Sequence, residues 1–295
     1  MQARMSSLNG GAPVTELTEQ SRDLTRKEEE KEAVEEAAGL SPLLVFETIR
    51  RNGEEELERP MRALWFSGIA AGLLISFSVL GEATLRAYLP DAPWRFIVEN
   101  AGYSLGFLLV ILGRMQLFTE NTITTVVPVT LNPTRRALRR TLRLWAAVLA
   151  ANVVGAFLIA GFFAYAGVLS DDVFVAMTDL SHHATGMPAM EGLMRGIPAG
   201  ILIAALVWML PSSKGSEVAV ITLFTWLIAL GDFTHIVAGS VEMAFLLVQA
   251  EMGLAQAIFG FFIPVFIGNV LGGTVIFTML TWAQVQPEVE AQDAD

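Results

Sequence analysis

Three stretches of this sequence, residues 63–80, 144–170 and 252–287, contain no charged side chain at all. A helix crossing the hydrocarbon core of a bilayer needs about 20 mainly apolar residues in a row. The three stretches therefore read as spans one, three and six of a membrane bundle. Composition agrees, because 53% of the residues are apolar and 17% are charged, against roughly 45–50% and about 25% in soluble domains. Charge gathers outside the apolar body, above all in residues 1–59. The absence of cysteine removes disulfides and thiolate metal sites from consideration. The polar N-terminal stretch has no apolar core of a cleavable signal peptide, so targeting is expected to come from the spans themselves.

Four segments follow: a polar, disordered tail over 1–41, an amphipathic helix with linker over 42–59, a six-span domain over 60–284 and an acidic tail over 285–295. In the second segment Leu43, Leu44, Phe46 and Ile49 recur near helical spacing ahead of Arg50 and Arg51. That pattern predicts a helix lying on the membrane or on a neighbouring subunit.

Residues 97–131, 187–210 and 218–250 supply spans two, four and five, and two of these are interrupted. Span two breaks at 114–121 (Arg-Met-Gln-Leu-Phe-Thr-Glu-Asn), and span five breaks at 232–235 (Asp-Phe-Thr-His). At membrane depth a backbone leaves helical geometry only where protein or a water-filled cavity satisfies its amides. Two such breaks point to a central pathway. The halves also look alike. Gly68 to Gly72 (Gly-Ile-Ala-Ala-Gly) matches Gly196 to Gly200 (Gly-Ile-Pro-Ala-Gly), and Asn152-Val-Val-Gly matches Asn269-Val-Leu-Gly. Phe118-Thr119 and Phe233-Thr234 sit at matching positions in the two breaks. The expected fold is an all-α membrane protein with six transmembrane helices in two inverted three-helix repeats. Three spans per half invert the second against the first. Arg135, Arg136, Arg139, Arg140 and Arg143 crowd the connection between spans two and three, which places that loop and both termini in the cytoplasm. The connection over 171–191, with His182 and His183, reads as an ordinary loop on the other side.

These motifs resemble the formate/nitrite transporter family over about 42–282. The resemblance rests on Leu117-Phe118-Thr119 with Asn121, on Arg195-Gly196-Ile197 followed by Leu206-Val207-Trp208, on His235 after the second break, and on Gly268-Asn269. It implies an aquaporin-like fold, a homopentamer in the inner membrane, no cofactor, and Thr119 facing His235 at the pore centre. By the same resemblance Leu117 and Phe118 narrow one side, with Leu227 or Ile228, just before the second break, on the other. The breaks add Glu120, Asn121, Asp232 and Thr234, and the spans add Asn152 and Asn269, as polar groups that either touch solute or hold broken backbone. His235 has a physical case of its own, since an ionisable side chain inside a membrane is costly and usually faces a partner or a cavity. Its imidazole could bind an anion or exchange a proton with a weak acid.

The sequence departs from the family pattern in three places. Glu120 follows the threonine where a small residue is usual. No lysine lies between Trp145 and Ser213, where one ordinarily attracts anions. Gly200 and Thr234 replace an asparagine and a glutamate. A carboxylate on the path repels an anion by about 4 kcal/mol at about 4 Å and an effective dielectric near 20 unless it is protonated, paired with Arg114 or turned away.

The leading expectation is a transporter of a small monovalent weak-acid anion, proton-linked through the central histidine, with a small solute and membrane lipid as partners. The alternatives are a channel for a neutral solute or cation, suggested by the acids at both breaks, and a non-transporting scaffold or sensor acting through the charged tail. Enzymatic activity, a metal site and nucleic-acid binding are not expected, since no phosphate-binding glycine loop or ligand spacing occurs and the net charge is −11.

Overall fold

The computed structural model describes residues 39–293. Contacts divide the chain into Met1–Ser41 and Pro42–Asp295. The tail expected over 1–41 falls in the first unit and, up to residue 38, lies outside the described residues.

Among the described residues all regular structure is helical. Helix α1 (Pro42–Glu58) buries Val45, Phe46, Ile49 and Gly53. The first three join Ile123, Val127, Ala204, Val207 and Val285 in one apolar cluster. The amphipathic helix therefore docks on its own bundle, where a bilayer or a neighbour was expected. Span one is α2 (Met61–Leu74) and α3 (Ser76–Tyr88), which runs past the expected end at residue 80 and brings Glu82 and Arg86 into the wall. Span two begins with α4 (Arg95–Glu99), a 3-10 turn (Asn100–Tyr103) and α5 (Ser104–Leu112). After the break it resumes as α6 (Phe118–Thr124) and α7 (Val127–Leu131). Span three is α8 (Arg135–Tyr165), whose exposed first turns carry the arginine cluster.

The connection expected as a loop is a helix, α9 (Asp171–Thr185). Its signals are in the sequence. Ser170 caps it by accepting from Val173 N, Asp171 and Asp172 open it, and the two histidines close it, each on the side that the helix dipole favours. Val173, Ala176, Met177 and Leu180 recur every third or fourth residue and are buried.

Span four is α10 (Ala189–Met209), and span five is α11 (Glu217–Leu230) with α12 (Ile236–Val248) across the second break. Span six alternates π-helical turns (Gln256–Phe262, Leu271–Thr278) with α13 (Ile263–Val270) and α14 (Met279–Asp293). The segment expected as an acidic tail from residue 285 continues that last helix. By length and composition five stretches can cross a bilayer, namely Met61–Tyr88, Arg95–Leu112, Arg135–Tyr165, Ala189–Ser212 and Gln256–Ala291. Span five is built from two shorter apolar helices, Glu217–Leu230 and Ile236–Val248. Large apolar side chains such as Phe66, Leu158, Leu223, Phe259 and Leu280 stand exposed on the outside, as hydrocarbon or a neighbouring copy demands.

The two halves repeat the same contact. Helix α2 packs on α8, and α10 packs on α13. Gly72 lets α8 approach so closely that a Cβ there would lie 2.1 Å from the Asn152 carbonyl oxygen, and at Gly200 the Asn269 carbonyl oxygen would be 2.3 Å away. The two Gly-x-x-x-Gly runs are thus close-approach seams of the kind that small residues make in membranes.

Candidate functional site

Both breaks begin with the same backbone device. Helix α5 ends with Arg114 N donating to Ile111 O and Met115 N to Val110 O. Helix α11 ends with Asp232 N donating to Ala229 O and Phe233 N to Ile228 O. This is the Schellman closure, whose turning residue adopts the left-handed conformation. Here that residue is Arg114 (φ 50°) in one half and Asp232 (φ 53°) in the other. The register corrects one expectation: Arg114 corresponds to Asp232, so Leu117 corresponds to His235 and Phe118 to Ile236. The apparent equivalence of Phe118-Thr119 with Phe233-Thr234 is a coincidence of composition.

An asparagine from the facing span pins each break. Asn152 Oδ1 accepts from Phe118 N at 3.0 Å, and its Nδ2 donates to Gly68 O and Gln116 O, each at 2.8 Å. Asn269 Oδ1 accepts from Ile236 N at 2.8 Å, and its Nδ2 donates to Gly196 O and Thr234 O, each at 2.9 Å. Both side chains are fully buried. Two of the three hydrogen bonds of each asparagine go to backbone that the break strands, as expected at membrane depth, and the third ties the break to a glycine carbonyl inside α2 or α10.

Between the breaks, Thr119 Oγ1 and His235 lie 2.8 Å apart through Nε2, and both residues are almost completely buried. His235 also caps α12, because Ala238 N donates to Nδ1 at 3.2 Å. A ring nitrogen that accepts carries no proton, so in the neutral ring the proton sits on Nε2 and Nε2 donates to Thr119. The threonine hydroxyl keeps its own hydrogen for another acceptor. Phe107 meets the imidazole edge-on at 5.0 Å, and Phe118 packs on Phe266 and Trp145.

A cavity opens on each side of this pair. The one nearer α9, of about 260 Å³, reaches His235 and is walled by Glu82, Tyr103, Glu99, Asp232 and Glu242 among others. The one nearer α1, of about 610 Å³, reaches Leu117, Glu120 and Asn121, with Glu55, Glu56, Arg114 and Lys214 around it.

The remaining sequence candidates divide clearly. Leu117 and Phe118 are buried against the centre. Ile228 is buried, whereas Leu227 is 46% exposed and lines neither cavity, so its side chain is turned away from the path. Asn121 is tied into the break: its Nδ2 donates to Gln116 Oε1 at 3.3 Å, and its carbonyl oxygen accepts from Trp145 Nε1 at 3.1 Å. Thr234 donates to Gly192 O and likewise serves the scaffold. Asp232 is neutralised by Arg195, 2.6 Å away, and meets His183 Nε2 at 2.9 Å. Among the described residues Glu120 has no such partner. It lines the α1-side cavity with one carboxylate oxygen buried and unbonded, and it makes no ion pair with Arg114. Among the described residues no three His, Cys, Asp or Glu side chains converge as a metal site.

Glu82, Tyr103, Glu99 and Glu242 of the α9-side cavity escaped the sequence reading. Glu242 was detectable, being the only charged residue in 236–250, and an isolated acid in an apolar helix marks a functional position by default.

Six spans, two of them broken and meeting at a buried polar pair between opposed cavities, define a multi-pass membrane channel or transporter. The sequence profile of the formate/nitrite transporter family matches residues 44–283. Inner membrane protein YfdC of Escherichia coli (strain K12) is 39% identical over 84% of this chain and 80% of its own length. Among solved structures, an FNT family ion channel superposes with a TM-score of 0.71 at 19% identity, covering 81% of this chain and 98% of that one. A pentameric formate channel with formate bound gives 0.65 at 20% identity, covering 77% and 98%. The chain belongs to the formate/nitrite transporter family.

Proposed function

We propose that the protein passes a small monovalent weak-acid anion of the formate or nitrite class through each protomer of a homopentamer in the inner membrane, with both termini cytoplasmic. The observation that carries this reading is the buried Thr119–His235 contact between two cavities. A neutral imidazole donating through Nε2, beside a threonine hydroxyl with a free hydrogen, offers the solute's oxygens two donors, whether it arrives as the anion or as its neutral acid, where lipid-like walls would otherwise reject it. Leu117, Phe118 and Phe107 form the apolar collar that strips water from the solute. The family membership and the formate named in the solved relative's title support this solute class, and that relative supports a pentamer. The exposed arginines opening α8 support the orientation.

Proteoliposomes holding the full chain test the reading with formate, nitrite, acetate and glycerol. Saturable passage of formate and nitrite, with glycerol excluded, is the expected result. Passage of glycerol or of alkali cations at equal rates would favour the channel for a neutral solute or cation. Glu120, an unpaired carboxylate beside the path, is the observation behind that second reading. No passage of anything would return the protein to a scaffold role.

A further inference from the structure

The α9-side cavity holds four acids, and they are not equivalent. Glu99 is answered by Arg95 at 3.3 Å and Arg86 at 3.6 Å, and Asp232 by Arg195 and His183. Glu82 on α3 and Glu242 on α12, two helices packed together, have neither a hydrogen bond nor an ion pair among the described residues. Tyr103, from the 3-10 turn, joins them on the same wall. It is only 8% exposed, it lines the cavity, and its hydroxyl makes no hydrogen bond among the described residues. His235 forms the floor. Two uncompensated carboxylates would repel an anion from this side, and the same groups carrying protons would attract it as hydrogen-bond donors.

We propose that Glu82 and Glu242 form a proton-loading site that converts the arriving anion to its neutral acid before it reaches His235. The proposal rests on the weak-acid reading above. In the step, the carboxyl O–H of one glutamic acid breaks and its electron pair stays on the carboxylate. A new O–H bond forms on the permeant oxygen, and Tyr103 holds that oxygen by donating to it. Bulk water on the same side returns a proton to the glutamate. The neutral acid passes the apolar collar and releases its proton beyond, so one proton accompanies each anion and no net charge moves. Glu99, Asp232, His183 and Arg86 face the same cavity, each paired with another of them or with Arg95 or Arg195, which leaves Glu82 and Glu242 as the groups that exchange.

The test compares the full chain with Glu82→Gln, Glu242→Gln, the double variant and Tyr103→Phe in proteoliposomes, following formate uptake together with interior pH. Gln mimics the protonated carboxyl in size and charge, which favours folding. The expected result is matched uptake of protons and formate by the unmodified protein. In neutral external buffer the double variant should lose about tenfold in rate, a modest share of what general acids supply. That gap should nearly close in acidic buffer, where bulk solution provides the neutral acid. Glu242→Asp should retain the original pH profile. A loss of equal size at every pH, an unaltered profile, or competition of methylammonium with formate at this site would overturn the proposal. Failure of the unmodified protein to take up formate would instead overturn the weak-acid reading on which it rests.

Discussion

Asn152 and Asn269 show what a single side chain does when backbone leaves helical geometry inside a membrane. Each supplies one acceptor and one donor to two stranded backbone groups of a break, and a second donor to a glycine carbonyl of the facing helix. Replacing either with Ala leaves one carbonyl and one amide of the break unpaired at full burial and removes the donor to the facing helix. An interhelical hydrogen bond in a membrane averages about 0.6 kcal/mol, and stranded buried groups cost about 1–3 kcal/mol each, so a loss of about 2–4 kcal/mol is expected. Thermal unfolding in detergent would register it as a lower Tm for both variants, and an unchanged Tm would show that the breaks are held otherwise. At this scale the sequence was legible where chemistry is costly: Thr119, His235 and the asparagines are polar groups in apolar surroundings. It was not legible for Leu227 and Ile228, because in a helix apolar on every side nothing distinguishes the face toward the path from the face toward lipid. Asp232 misled for a related reason, since its neutralising Arg195 is distant in sequence.

At the scale of the element, the breaks were visible as interruptions, but their register was not. Gly113 and Gly231 invite the assumption that glycine takes the left-handed turn, yet that turn falls one residue later, on Arg114 and Asp232. A side chain in that conformation costs roughly 1–2 kcal/mol. Arg114→Gly should therefore stabilise the fold by about 0.5–1 kcal/mol, measurable as a raised midpoint of unfolding. Gly200→Leu should do the reverse and block assembly, because even its Cβ would meet the Asn269 carbonyl oxygen; a normally folded variant would refute the seam. Helix α9 is legible only through its Ser170 cap and its buried stripe, since its acids and histidines taken alone have the composition of a polar loop. Helix α1 carries a pH dependence of its own. Hydrogen bonds from Arg50, with Arg51 adding to them, hold the Glu47 carboxyl down at about 2 from an ordinary 4.5. A carboxyl depressed in the folded state stabilises fully above its ordinary value and loses that contribution as pH falls toward the depressed one. Hydrogen-exchange protection over 42–58, taken relative to the intrinsic exchange rate at each pH, should therefore be constant from neutrality to about pH 5 and should fall as pH drops toward 2; constant protection throughout would remove these ion pairs from α1's stability.

For the whole molecule, the six spans and their two breaks follow from apolar runs and their interruptions, which is why the architecture is legible in the sequence. The cavities could not, because their walls gather side chains from α3, the 3-10 turn, α9, α12 and span six that no local pattern associates. The central claim is that solute passes through the protomer at the Thr119–His235 contact and depends on the Nε2 donor. Formate flux across a range of external pH, in proteoliposomes of the unmodified protein and of His235→Ala, tests it most directly. Removal of the donor should lower flux by about tenfold or more and alter its pH dependence. Flux that keeps both its rate and its pH profile without the imidazole would place the path elsewhere.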